Sequence, residues 1–225
     1  DNPKHIIIGV HGNGVRRWDG EQFYYQVAEH FTDSIVVLVD QNHPEKDGCR
    51  LNALYIMVER INTAIRTARS DYPQVPIWLL AHSMGCGVAA LTKTSDVTGM
   101  LFVAPTAGRQ LPKYINRYGA GIVDGMTVTT SDGLYKNISK EFMDSVRDVF
   151  WQEIYAKLLK NFSNVHVFEA ADDEILDDER FELRTMPFAN YTIINGARHN
   201  FTGKAARELF DTIDILLSGS ATIKS

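Results

Sequence analysis

The sequence predicts an α/β protein built on a mainly parallel sheet of about six strands, with helices on both faces. Three observations carry this prediction. Six short runs are continuously apolar rather than alternating, as strands covered on both faces are. Between most of them lie longer stretches with apolar residues at helical spacing. Chemistry-bearing residues cluster just after the strands, at the carboxyl ends where open parallel sheets bind ligands.

The elements follow in order. His5 to Val10 is a short run rich in β-branched residues and ends in the turn-forming cluster His11-Gly12-Asn13-Gly14. Trp18 to Phe31 carries Phe23, Val27 and Phe31 at helical spacing, with Asp19 placed to cap it. Ser34 to Asp40 reads as the second strand and Gln41 to Arg50 as a polar loop. Leu51 to Arg69 is helical through Leu54, Val58, Ile61 and Ile65, and Tyr72-Pro73 stops it. Val75 to Ala81 is the third strand, followed by a helix ending near Ser95. Gly99 to Pro105, Asn164 to Ala170 and Phe188 to Asn195 are the remaining strands, and a last helix spans about 202–217.

The chain has 225 residues, of which 44% are apolar and 10% aromatic, enough for a sizeable core. No repeat and no Pro/Gly/Ser-rich linker divides it, so residues 1–225 read as one domain. The net charge of −5 and the lack of a basic tract argue against nucleic acid as a partner. Cys49 and Cys86 do not make a disulfide framework, and Cys86 reads as a small core residue. No apolar run reaches the length of a membrane span. A cytoplasmic location is favoured; secretion stays open because the chain begins at Asp1 rather than Met.

The third strand runs into Ala81-His82-Ser83-Met84-Gly85. A serine between a strand and a helix, with small residues two before and two after, has the pattern of a nucleophile elbow. The small flanks have a steric reason: the serine backbone is strained and its neighbours press against the turn. Ala81 stands where glycine is usual. Ala171-Asp172-Asp173-Glu174 follows the fifth strand and Gly196-Ala197-Arg198-His199 the sixth. A nucleophile, an acid and a histidine thus come in the chain order expected of this architecture. Beside Ser83, His82 reads as a packing residue, and His11 as one that shapes its turn.

On these residues the sequence resembles the α/β-hydrolase family, and within it the small bacterial serine esterases and the lysophospholipase- or monoglyceride-lipase-like members. The likeness covers nearly the whole chain in strand and helix order. It departs in two places. The loop Gln41 to Gly48 lacks the glycine-rich turn often found there, and the two antiparallel strands that open larger members are not in this sequence.

The resemblance implies a Ser-His-Asp triad of Ser83, His199 and Asp173 acting through an acyl-enzyme, without metal or organic cofactor. Asp172 is the adjacent alternative acid; the family's spacing favours Asp173. The oxyanion hole would use the backbone N–H groups of Asn13 and Met84. The family carries a cap over its active site in the place of residues 106–150 here. Tyr114 and Tyr118, with Ile115, Ile122 and Met126, would line an apolar acyl pocket, and Trp18, with Arg16 and Arg17, would border its entrance. The expected activity is hydrolysis of carboxylic esters with small or medium acyl chains. Thioester or amide cleavage by the same residues, and a non-catalytic ligand- or partner-binding protein, are the competing readings. The partner in the first two is a small acyl substrate; the oligomeric state is not readable.

Overall fold

A computed structural model describes residues 3–13, 23–129, 134–176 and 178–220. Trp18, Arg16 and Arg17 lie outside the described residues. Strands β1 (Ile6–Val10), β2 (Ile35–Leu38), β5 (Ile77–His82), β6 (Gly99–Val103), β9 (Val165–Ala170) and β10 (Asn190–Ile194) form a sheet in the order β10-β9-β6-β5-β1-β2. Every neighbouring pair in it is parallel. The apolar runs predicted this. All five residues of β1 and of β6 are buried, because each strand has covered sheet on both faces.

The side chains of β1 divide between two cores. Ile6, Ile8 and Val10 join the one under α2 (Leu54–Asp71) and α3 (Met84–Ala90), while Ile7 joins the one under α1 (Phe23–His30) and α7 (Gly203–Ser220). Period-two alternation sends successive residues to opposite faces, and here both faces are apolar. Gly9 faces α1 so closely that a Cβ would lie 2.8 Å from the Tyr24 ring. The helix after Ser83 stops at Ala90, earlier than its composition suggests. Both cysteines are free and buried, and the Cys86 thiol donates to the Ala81 carbonyl at 3.3 Å. No helix among the described residues is long and apolar enough to cross a membrane.

The segment read as a polar loop after β2 folds into a hairpin, β3 (His43–Glu45) and β4 (Gly48–Arg50). It becomes a strand pair because a distant stretch supplies its missing partner. Between β6 and β9 the chain forms α4 (Gln110–Tyr118), β7 (Met126–Thr129), β8 (Tyr135–Ile138), α5 (Lys140–Val146) and α6 (Trp151–Leu159). β8 pairs parallel to β4, with Cys49 opposite Lys136, giving a second sheet in the order β3-β4-β8-β7. Gly48 is required there: a Cβ on it would sit 1.7 Å from the Tyr135 carbonyl oxygen.

The helical pattern running from Ile138 to Leu158 is broken between α5 and α6. At the break Trp151 N donates to Gly108 O at 3.1 Å, and Gln110 N donates to Val149 O at 3.2 Å. The break thus gives the chain at 108–110 its backbone partners. α6 then lies on α3, where a Cβ at Gly87 would fall 2.1 Å from the Trp151 ring.

Candidate active site

Ser83 ends β5 with φ 55° and ψ −126°, a backbone conformation that a residue with a Cβ adopts at a cost of about 1–3 kcal/mol. The surroundings hold it there. Ser83 N donates to Val103 O on the neighbouring strand at 2.9 Å, and Ser83 O accepts from Cys86 N at 3.0 Å. Although Ser83 stands at the N-cap position of α3, its side chain makes no capping hydrogen bond. Gly85, the small residue two after Ser83, has the steric reason inferred for it. A Cβ at Gly85 would lie 2.1 Å from Val10 O and 2.6 Å from His11 O, so the turn presses directly onto the end of β1. Gly12 approaches less closely from the other side, its would-be Cβ 3.1 Å from Ser83 Cβ.

Asp173 and His199 come together across the ends of β9 and β10. His199 Nδ1 lies 2.8 Å from Asp173 Oδ2, and both side chains are nearly fully buried. The other carboxylate oxygen of Asp173 accepts from Ile175 N and Leu176 N, both at 2.9 Å. Burial alone would raise the Asp173 pKa. The bond and charge of His199, with the two N–H donors, outweigh burial and hold the carboxyl below its usual value. Asp172, the neighbouring candidate, instead ties its backbone N–H to Ala197 O at 2.9 Å.

A depressed carboxylate pKa makes stability depend on acid. The Asp173 contribution is fully present above the unfolded-state pKa of about 4 and is lost as pH falls through the lower folded-state value. Urea midpoints measured from pH 7 down to pH 2.5 are therefore expected to fall more for wild type than for Asp173→Asn. Parallel curves would remove Asp173 from the acid-sensitive groups.

Two histidines read as packing or turn residues have defined partners. His82 is buried, and burial, followed by the nearby His199, pushes its pKa down to about 3. It is therefore neutral at ordinary pH, and its Nε2, 2.8 Å from His199 O, carries the proton and donates to that carbonyl. The residue next to Ser83 thus holds the backbone that presents His199. His11 Nε2 accepts from Gln41 N at 3.1 Å, which leaves the proton on Nδ1, 3.0 Å from Gly12 O. Gln41 returns a bond from Nε2 to His11 O at 2.9 Å. Glu174, the residue after Asp173, accepts from His199 N at 3.1 Å. The sequence signal for these contacts was only position, each lying within two residues of a predicted site residue or strand end.

Met84 is buried at the start of α3, and Asn13 lies beyond Gly12 at the end of β1. Tyr114 is 2% exposed, its ring packed against Phe142 and Tyr118. Burial raises its pKa well above normal, opposed by the side-chain amides of Gln110 and Asn13 beside the hydroxyl. Tyr118 is half-buried alongside, and Ile122 is fully buried. Tyr114 thus packs within the 104–164 segment, with the Asn13 side chain beside it.

A parallel sheet with a strained serine between strand and helix, and a histidine–carboxylate pair on later strand ends, defines the α/β-hydrolase fold. Residues 1–148 match the serine aminopeptidase S33 family (Hydrolase_4), and the chain belongs to that family. It is 28% identical to rat (Rattus norvegicus) monoglyceride lipase over 109 residues, 46% of this chain and 35% of that enzyme. The aligned stretch thus spans about a third of that curated relative's length. Two solved structures share the fold over nearly the whole chain. Est1E from Butyrivibrio proteoclasticus superposes with a TM-score of 0.70 at 13% identity, covering 98% of this chain and 90% of Est1E. The Paleococcus ferrophilus monoacylglycerol lipase gives 0.66 at 14% identity, covering 97% and 96%. The chain is a member of a serine hydrolase family, with lipases and esterases among its relatives and structural neighbours.

Proposed function

We propose that the protein hydrolyses carboxylic esters through an acyl-enzyme on Ser83. The observation that carries this reading is the Asp173–His199 pair at 2.8 Å, tied to the serine turn by the His82 bond to His199 O. In this mechanism His199 Nε2 takes the Ser83 proton as Oγ attacks the ester carbonyl. Asp173 keeps the other ring nitrogen protonated and stabilises the imidazolium. The oxyanion is met by the N–H groups of Met84 and Asn13. His199 returns the proton to the departing alcohol. Water, activated by the same histidine, then attacks the acyl-serine and releases the acid.

Residues 106–150 serve in this reading as a cap, with Tyr114 and Tyr118 near the acyl group. Ester rather than amide substrates are favoured by the monoglyceride lipase relative and the monoacylglycerol lipase fold neighbour. The family description, serine aminopeptidase, supports amide cleavage as the second reading.

A fluorophosphonate probe tests the nucleophile, and p-nitrophenyl esters of graded acyl length with matched p-nitroanilides test the bond. The expected result is one adduct, mapped by peptide mass to Ser83, with turnover of the esters and little of the anilides. Preferred anilide turnover would favour the amide reading. Absence of both adduct and turnover would make the protein a binder.

A further inference from the structure

Asn13 carries two backbone groups with opposite consequences for ester cleavage. Its N–H is an oxyanion donor in the reading above. Its C=O, turned inward, would place partial negative charge where negative charge develops. Side chains restrain the carbonyls on both sides. His11 Nδ1 donates to Gly12 O at 3.0 Å. A trans peptide is planar, so the Gly12 carbonyl and the Asn13 N–H point in opposite directions, and fixing the first orients the second. The Asn13 carbonyl is restrained by Lys136, whose Nζ donates to it at 3.3 Å.

The two restraints differ in origin. His11 belongs to the same turn. Lys136 lies 123 residues away in sequence, at the centre of β8 in the segment between β6 and β9. It is 9% exposed, unusual for a lysine, whose ammonium normally reaches water. Its backbone is held by parallel pairing with Cys49 of β4, so the ammonium is delivered from a fixed strand rather than a mobile loop.

We propose that Lys136 is a positioning residue for the oxyanion hole: by holding the Asn13 carbonyl outward, strand β8 completes the donor geometry that the end of β1 begins. The hole is then assembled from two sheets, and its quality depends on the inserted segment as well as on the strand ends. The proposal rests on the ester-hydrolysis reading and gives Lys136 a role that acts through Asn13.

The test compares Lys136→Met, which keeps the length and apolar stem but removes the donor, with Lys136→Arg, which keeps a donor. Loss of an oxyanion donor costs about 10²–10³-fold, and a donor displaced rather than removed should cost about tenfold. For Lys136→Met, kcat on p-nitrophenyl butyrate should fall about tenfold with KM within about twofold, since the contact matters in the transition state. The inhibition constant of an aliphatic trifluoromethyl ketone, whose hemiketal oxygen occupies the hole, should rise by the same factor. Lys136→Arg should recover most of both.

A merely structural lysine would not move kcat and ketone affinity together at constant KM. Wild-type kcat in Lys136→Met, or a lower kcat with unchanged ketone affinity, would overturn the proposal. Should Lys136→Met not fold, Lys136→Gln is read by the same two constants. Fluorophosphonate labelling of the wild type separates the layers. If Ser83 is labelled and Lys136→Met behaves as wild type, only the positioning role fails; if Ser83 is unlabelled, the hydrolytic reading falls and the role of Lys136 falls with it.

Discussion

Ser83→Ala is expected to lower kcat for ester hydrolysis by about 10⁵–10⁶-fold and Asp173→Asn by about 10⁴-fold, while Asp172→Asn stays within about threefold. The first figure follows from losing the nucleophile, after which only binding and the oxyanion donors remain. The second follows from geometry. Asp173 Oδ2 accepts a hydrogen bond from His199 Nδ1–H at 2.8 Å while two backbone N–H groups fix its other oxygen. An amide at that site can turn a donor toward Nδ1 and leave the ring in the wrong tautomer, with its folded position nearly unchanged. Asp172 contributes a backbone bond to Ala197 that asparagine keeps. Steady-state rates on one p-nitrophenyl ester, with near-ultraviolet circular dichroism to confirm the fold, check all three. If Asp172→Asn is the crippled variant, the acid has been assigned to the wrong neighbour.

Gly85→Ala should damage stability severely, costing about 3 kcal/mol or more and lowering Tm by about 6–12 °C. The added methyl would meet two carbonyl oxygens, Val10 O at 2.1 Å and His11 O at 2.6 Å. Neither can swing aside as a side-chain tip would, because both are main-chain atoms, Val10 ending the fully buried strand β1 and His11 following it directly. Relief requires α3 to lift from β1, which also moves Ser83 and the His11 turn, so activity should fall with stability. Gly121→Ala is the control. No atom lies within 4 Å of its would-be Cβ, and its thermal unfolding midpoint should match wild type within about 2 °C. Equal midpoints for Gly85→Ala and wild type would show that the elbow yields.

The residues proposed for the site were picked out for a local reason: each stands just after a strand read from the sequence. Ser83 follows β5, whose burial on both faces leaves no polar alternation, whereas Asp173 follows β9, which carries His166 and Glu169 among buried apolar residues, and His199 follows the edge strand β10, only one residue of which is buried. The order of strands in the sheet was not legible, since neighbours such as β6 and β9 are separated by the whole 104–164 segment and periodicity does not report pairing. The hairpin β3–β4 failed to show for a related reason. His43-Pro44-Glu45 is exposed and polar, and only its pairing through β4 to β8 makes it sheet. The bonds of His82 and Glu174 were not foreseen because their partner in each case is a backbone atom of His199, 117 and 25 residues away, and no sequence pattern marks a side chain that bonds a distant main chain.

The second sheet has a consequence for exchanging parts between related proteins. Two of its strands come from the hairpin after β2 and two from the segment between β6 and β9. Cutting at the two points where that segment leaves and rejoins the main sheet would strip β4 of its partner and expose the backbone edge that β8 now covers, an invitation to intermolecular pairing. A working transplant would have to carry residues 41–50 along with 104–164. The piece that looks like a single insertion in the chain is, as a unit of inheritance and of engineering, two pieces that travel together.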